Sequence, residues 1–191
     1  MNLGTSQLLY LLFLALVTAE RLVELRLSRR NADRALSKGG VEYGQGHFRA
    51  MTLLHSLFLA GCAAEVLFTN AAFSPLPGLT LFTLALAAQG LRYWAISSLG
   101  HRWNVRVIVL PGEPAVGDGP YRWMRHPNYL AVILEGVAIP MIHGAWITAL
   151  TFSLLNAALL TVRIRCEEQA LARHCDYQDR LGRRRRFLPV E

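Results

Sequence analysis

Apolar residues run along this chain in long, nearly unbroken blocks, not at the alternating spacing of half-buried strands or the heptad spacing of coiled coils. The first block covers 3–22 and carries no charge before Glu20. The others cover 51–69, 76–94, 129–142 and 145–162, the fourth being short and containing Pro140. A helix needs about 20 mostly apolar residues to cross a bilayer, so the pattern predicts an all-α integral membrane protein with about five transmembrane helices. The first block lacks a basic leading region and a small-residue cleavage site, and it continues into Glu20-Arg21-Leu22-Val23-Glu24-Leu25 like a helix emerging from a membrane. It reads as a retained span and not a signal peptide. The 191 residues are one domain's worth of chain, 1–191.

Composition agrees with this and the charges orient it. Hydrophobic residues make up 53% and charged ones only 17%. The 20 Lys and Arg fall in three groups, seven in 21–49, five in 92–125 and eight in 163–186, while 1–7, 70–75 and 143–144 contain none. Basic loops stay cytoplasmic, which places the N-terminus outside and the C-terminus inside. A net charge of +7 is accounted for by such loops and their contact with anionic lipids, so no nucleic-acid partner is expected. Arg183-Arg184-Arg185-Arg186 reads as a lipid-facing or topogenic run. Cys62, Cys166 and Cys175 form no CxxC and the six histidines show no ligand spacing, so neither a disulfide framework nor a metal site is indicated.

The chemistry concentrates in Gly119-Pro120-Tyr121-Arg122-Trp123-Met124-Arg125-His126-Pro127-Asn128-Tyr129. Pro127 suits a first helical turn because its φ is already helical and its missing N–H would have been unpaired there. The motif therefore sits at the mouth of the fourth helix, where unpaired N–H groups can meet a polar ligand. Beyond the fifth helix, Arg163 and Glu167 are one turn apart on one helix face. A carboxylate there can accept from hydroxyls or an ammonium, and an arginine fork can grip an anionic oxygen. The bland readings are a surface ion pair for Arg163 and Glu167, and an interfacial aromatic belt for Tyr121, Trp123 and Tyr129. The belt is preferred for Trp123. No polar segment is long enough for a dinucleotide-binding fold, and Gly117-Asp118-Gly119 is only a Gly-x-Gly. Within the spans His55, Glu65, Arg92 and Glu135 are ionisable and are expected to face the bundle interior or the interface. Glu135 either pairs with Arg92 or touches a ligand, and Glu65 reaches the outer interface.

Arg125-His126-Pro127-x-Tyr129 followed by Arg163-x-x-x-Glu167-Glu168-x-x-Leu171 resembles the isoprenylcysteine carboxyl methyltransferase family of membrane enzymes, from about Arg92 to the C-terminus. The resemblance implies S-adenosylmethionine as cofactor, held in a cytoplasmic pocket of loops and helix ends built from about 99–129 and 163–191. It implies cofactor contacts from Arg106, Glu113, Pro114, Ala115, Val116, Tyr121, His126, Pro127, Asn128, Tyr129 and Glu167, Arg106 standing where a different polar residue is usual. It makes Arg163 and Glu167 the catalytic pair and gives Arg163 to a lipophilic acceptor, which Glu135 also touches if it does not pair with Arg92. The implied activity is O-methylation of a carboxylate or acidic hydroxyl. Phospholipid N-methyltransferases and NADPH-dependent sterol or enone reductases share a related hairpin and remain alternatives. The N-terminal run, including Ser28-Arg29-Arg30-Asn31 and Gly40-Val41-Glu42-Tyr43-Gly44, is similar to a bacterial branch that methylates alkylpyrone or alkylresorcinol hydroxyls, which implies a bacterial inner membrane.

Overall fold

The computed structural model describes residues 4–69 and 73–188. Five long helices overlap the five apolar blocks. They are α1 (Thr5–Ser37), α2 (Gln45–Thr69), α3 (Pro75–Leu99), α4 (Pro127–Met141) and α5 (Trp146–His174), followed by a short α6 (Tyr177–Leu181). Leu3 and part of the expected outer loop (70–72) lie outside the described residues. The fold is mostly helical, but not wholly so. β1 (Val41–Tyr43) pairs antiparallel with β2 (Val107–Val109). These two triplets, Val-Glu-Tyr and Val-Ile-Val, sit in the polar connections and are too short to show as a strand pattern. Val107 and Val109 pack on Ala170 of α5 and so attach both loops to that helix.

The helices turn an apolar core inward around Tyr10, Leu14, Phe58, Val66, Ile139 and Phe152. Gly136 lets α4 approach α5 closely, since a Cβ there would come within 2.6 Å of the Phe152 ring. Glu65 caps a neighbouring helix. From α2 it accepts hydrogen bonds from the N–H groups of Ile147 (3.0 Å) and Thr148 (2.7 Å), stabilising the electropositive start of α5.

Large apolar side chains also cover the outside, among them Leu8, Leu12 and Leu16 on α1, Leu53 and Leu57 on α2, and Leu150 and Leu154 on α5. An apolar exterior of this extent marks contact with something other than water. Among the described residues, two helices, α2 and α5, are long and apolar enough to cross a membrane. The 15 residues of α4 give a helix of about 22 Å, shorter than a bilayer core.

A layer of charge crosses the bundle between α1, α3 and α4. Arg92 grips Glu24 through two hydrogen bonds of 2.7 and 2.6 Å, and Arg21 bonds both Glu24 and Glu135 at 3.0 Å. This corrects the expected pairing, because Glu135 takes Arg21 and Arg92 is committed to Glu24. The reason is that α1 continues well past its apolar block as one helix, so Glu24 lies on its buried face and offers Arg92 a bidentate carboxylate.

Candidate active site

The segment from 100 to 126 crosses the bundle end in tight turns. Gly119, at φ 58°, packs against α3 so closely that a Cβ would meet the Ser98 hydroxyl at 2.0 Å. A 3-10 turn (Gly119–Arg122) then buries Pro120 and Tyr121. His126 is the N-cap residue of α4 and Pro127 opens that helix, as the sequence suggested.

A cleft of about 970 Å³, open mouth included, lies where this segment meets α1, β2, α5 and α6. It brings together Arg106, Glu113, Pro114, Ala115, Val116, Tyr121, His126 and Glu167 from the expected set. Some of their groups are already engaged. The Ala115 N–H donates to Asp176 at 2.6 Å, and the Pro114 carbonyl accepts from Arg102 at 2.5 Å. Arg106 is held by Glu42 of β1, its Nε at 2.6 Å from the carboxylate.

Beside the cleft, Tyr129 stands between the other two key residues. Arg163 Nε donates to the Tyr129 hydroxyl at 2.8 Å, and that hydroxyl donates to Glu167. Arg163 Nη2 also donates to the Val105 carbonyl at 2.6 Å. Arg163 is 3% exposed, so it is no surface ion pair, and its link to Glu167 runs through the tyrosine. Tyr129 is buried among Leu160 and Ile164 and does not serve in an aromatic belt. Trp123 is 40% exposed and packs edge-on against Trp94, with ring centroids 5.3 Å apart. Among the described residues, the Asn128 side-chain oxygen is buried and finds no hydrogen-bond partner. Glu135 lies two turns further along α4, in the charge layer and not at the cleft.

Sequence reasoning gave Glu168 no role and read the four-arginine run only as lipid-facing or topogenic. Glu168 meets the His126 ring at 3.0 Å, Arg125 at 3.2 Å, and Arg186 through two bonds of 3.1 and 2.6 Å. Burial pushes its carboxyl up, but the hydrogen bonds from His126 and Arg186 and the Arg125 charge outweigh this and hold it down at about 2. Burial, reinforced by the Glu167 carboxylate, pushes the Tyr121 phenol well above its ordinary range, so it stays neutral. The four-arginine run is not a uniform lipid-facing stretch. Arg184 donates to the Tyr121 carbonyl, Arg186 clasps Glu168, and the carbonyls of Arg185 and Arg186 accept from the N–H groups of Arg125 and His126, each at 3.0 Å. Phe187 packs against the cluster around Tyr129.

Residues 80–173 match the sequence profile of the isoprenylcysteine carboxyl methyltransferase (ICMT) family. The chain is 40% identical over 163 residues to the uncharacterized protein YpbQ of Bacillus subtilis (strain 168), covering 85% of this chain and 96% of that one. It is 28% identical over 159 residues to an uncharacterized protein of Haemophilus influenzae, covering 83% and 92% respectively.

Proposed function

The chain belongs to the isoprenylcysteine carboxyl methyltransferase family, and on that premise we propose that it is an S-adenosylmethionine-dependent O-methyltransferase. Its acceptor is a lipophilic molecule bearing a carboxylate or acidic hydroxyl. The observation that carries this reading is the Arg163–Tyr129–Glu167 relay at the edge of a cleft lined by both apolar and polar groups. The cleft's residues fit that group. Val107, Val109 and Leu171 offer apolar surface to a base, while Glu167 and the loop 113–116 offer polar atoms to a ribose and an amino acid end.

The cofactor supplies a methyl group on a positively charged sulfur, whose C–S bond breaks with its electron pair going to sulfur as the acceptor oxygen's lone pair forms the C–O bond. Glu167 holds the cofactor's hydroxyl or ammonium donors, and Tyr129 fixes the rotamer of that carboxylate. Arg163 aligns the acceptor oxygen and balances its negative charge. A carboxylate acceptor is ionised at pH 7 and gives up no proton, so positioning and exclusion of water are the main tasks of the protein. An acidic hydroxyl acceptor docks as its anion, having lost its proton to water before the C–O bond forms. The tail from Arg184 to Phe187 shelters the same region from water.

The five long helices act as membrane spans, with the N-terminus outside and the cleft at the cytoplasmic face of a bacterial inner membrane. The acceptor enters from the bilayer with its tail among the spans. To test the assignment, purified protein is incubated with methyl-labelled S-adenosylmethionine and a panel of prenylcysteines, long-chain alkylpyrones and alkylresorcinols. Label in an alkali-stable ether or an alkali-labile ester identifies the acceptor oxygen. Label only in phospholipid amines would replace O- with N-methylation.

A further inference from the structure

The wall of the cleft carries two polar groups that the relay does not use. Arg125, on the segment before α4, and Tyr177, at the start of α6, both line it. Tyr177 is 1% exposed and its ring packs with Ala115 and Leu181, yet among the described residues its hydroxyl finds no hydrogen-bond partner. Burial, with the Glu168 carboxylate, pushes this phenol well above its ordinary range against the opposing charge of nearby Arg125. It therefore stays neutral and keeps a proton to donate. Arg125 Nε is likewise buried and unpartnered among the described residues, while its Nη1 meets Glu168 at 3.2 Å. A guanidinium N–H cannot accept, so an unanswered one in a buried wall calls for an acceptor oxygen. The Nε–Nη2 edge is also the fork that grips a carboxylate through two parallel bonds.

The charges around the cleft single out Arg125. Glu168 accepts from two nitrogens of Arg186, at 3.1 and 2.6 Å, and from the His126 ring at 3.0 Å. Arg186 alone balances that carboxylate, which leaves the Arg125 charge in excess. The other two arginines that line the cleft are already engaged, Arg102 with Glu113 at 3.0 Å and Arg106 with Glu42. Glu167, beside Glu168 on α5, adds a carboxylate to the same cleft. One cleft thus offers an anion-seeking fork and a cation-seeking carboxylate, the complement of a zwitterion.

We propose that the Arg125 fork and the Tyr177 hydroxyl form a carboxylate subsite for the amino-acid end of the cofactor, with Glu167 taking its α-ammonium. This rests on the methyltransferase reading and deepens it by giving the cofactor a direction in the cleft. The amino-acid end points toward α6 and the tail, and the nucleoside toward the apolar surface of Val107 and Val109. A ligand without the carboxylate leaves the Arg125 Nε and the Tyr177 hydroxyl unpaired, and sites built to bond a polar group reject analogues that lack it.

The test compares S-adenosylmethionine with its decarboxylated form, which keeps the sulfonium and the amine and lacks only the carboxylate. Both are titrated calorimetrically into the purified full chain in detergent. The wild type should bind the decarboxylated form about ten- to a hundredfold more weakly, as expected for loss of hydrogen bonds to a charged group. In Arg125→Gln that preference should fall below about threefold, through weaker S-adenosylmethionine binding alone. Tyr177→Phe keeps the ring against Ala115 and Leu181 and removes only the hydroxyl, so it should narrow the preference even if the Arg125 variant fails to fold. Residues that merely shaped the cleft would, when replaced, weaken both ligands alike and leave their ratio at the wild-type value, and that result overturns the subsite. Equal binding of the two ligands by the wild type also overturns it while leaving the cofactor site standing. Binding of neither ligand by the wild type instead overturns the methyltransferase reading itself.

Discussion

Replacing Tyr129 with phenylalanine removes one oxygen atom and keeps the packing against Leu160 and Ile164. That atom accepts from Arg163 Nε at 2.8 Å and donates to Glu167. Tyr129 is 7% exposed, so water does not readily replace it. Each hydrogen bond to a charged group contributes about 1.5–3 kcal/mol. Arg163 and Glu167 lie one turn apart on α5 and can close part of the gap directly, leaving a net loss of about 2–3 kcal/mol. At about 2–4 °C per kcal/mol for a chain of this size, unfolding in detergent should move down by about 4–12 °C. Cofactor Kd and acceptor KM should each weaken by about tenfold, because both charged groups lose their common alignment. Trp123→Phe, at an exposed ring outside the relay, should leave Kd and Tm near wild type. Calorimetry and thermal unfolding of both variants in one detergent decide the matter. A Tyr129→Phe protein with wild-type Tm and wild-type affinities would refute the claim that the relay organises the site.

Arg163→Lys keeps the charge but loses the planar fork, so acceptor KM should rise or kcat fall while S-adenosylmethionine Kd stays within about twofold; an unaffected acceptor KM would remove Arg163 from the acceptor site. Arg186→Ala should free the tail, seen as faster amide exchange in 184–187, and unchanged exchange would show that the Glu168 clasp does not hold it. Glu168 has its carboxyl pKa depressed to about 2, so its contribution to closure is full above the ordinary carboxylate range and lost as pH falls through about 2. Tail exchange should therefore rise on acidification below about pH 4, and a tail equally protected at pH 2 and 7 contradicts this. Single cysteines placed at Lys38 and Asp118 in a cysteine-free background should resist impermeant labelling in intact cells while one at Ala72 reacts, and labelling of all three would reject the orientation.

Long helices were legible because apolar blocks of span length have few other uses, and Pro127 announced the start of α4 through its fixed φ. Most of the cleft was legible too, since Tyr121, His126 and Glu167 line it together with the loop 113–116. Pairings across the fold were not. Nothing local distinguishes Glu24 from Glu135 as the partner of Arg92, because the choice depends on how far α1 continues past its apolar block. Glu168 was hidden beside Glu167, and its role depends on a tail 18 residues away whose charge looked topogenic. β1 and β2 were hidden because three-residue strands carry no readable period. The unpartnered Arg125 Nε and Tyr177 hydroxyl are visible only once the neighbouring helices are in place.

On the proposed function, the cleft beside Arg163, Tyr129 and Glu167 binds S-adenosylmethionine. Calorimetric titration of the purified protein in detergent, alongside Glu167→Ala, tests it most directly. Binding by the wild type and a loss of about ten- to a hundredfold in the variant are expected, with no comparable affinity for NADPH. Preferential binding of NADPH, or an S-adenosylmethionine affinity indifferent to Glu167, would contradict it.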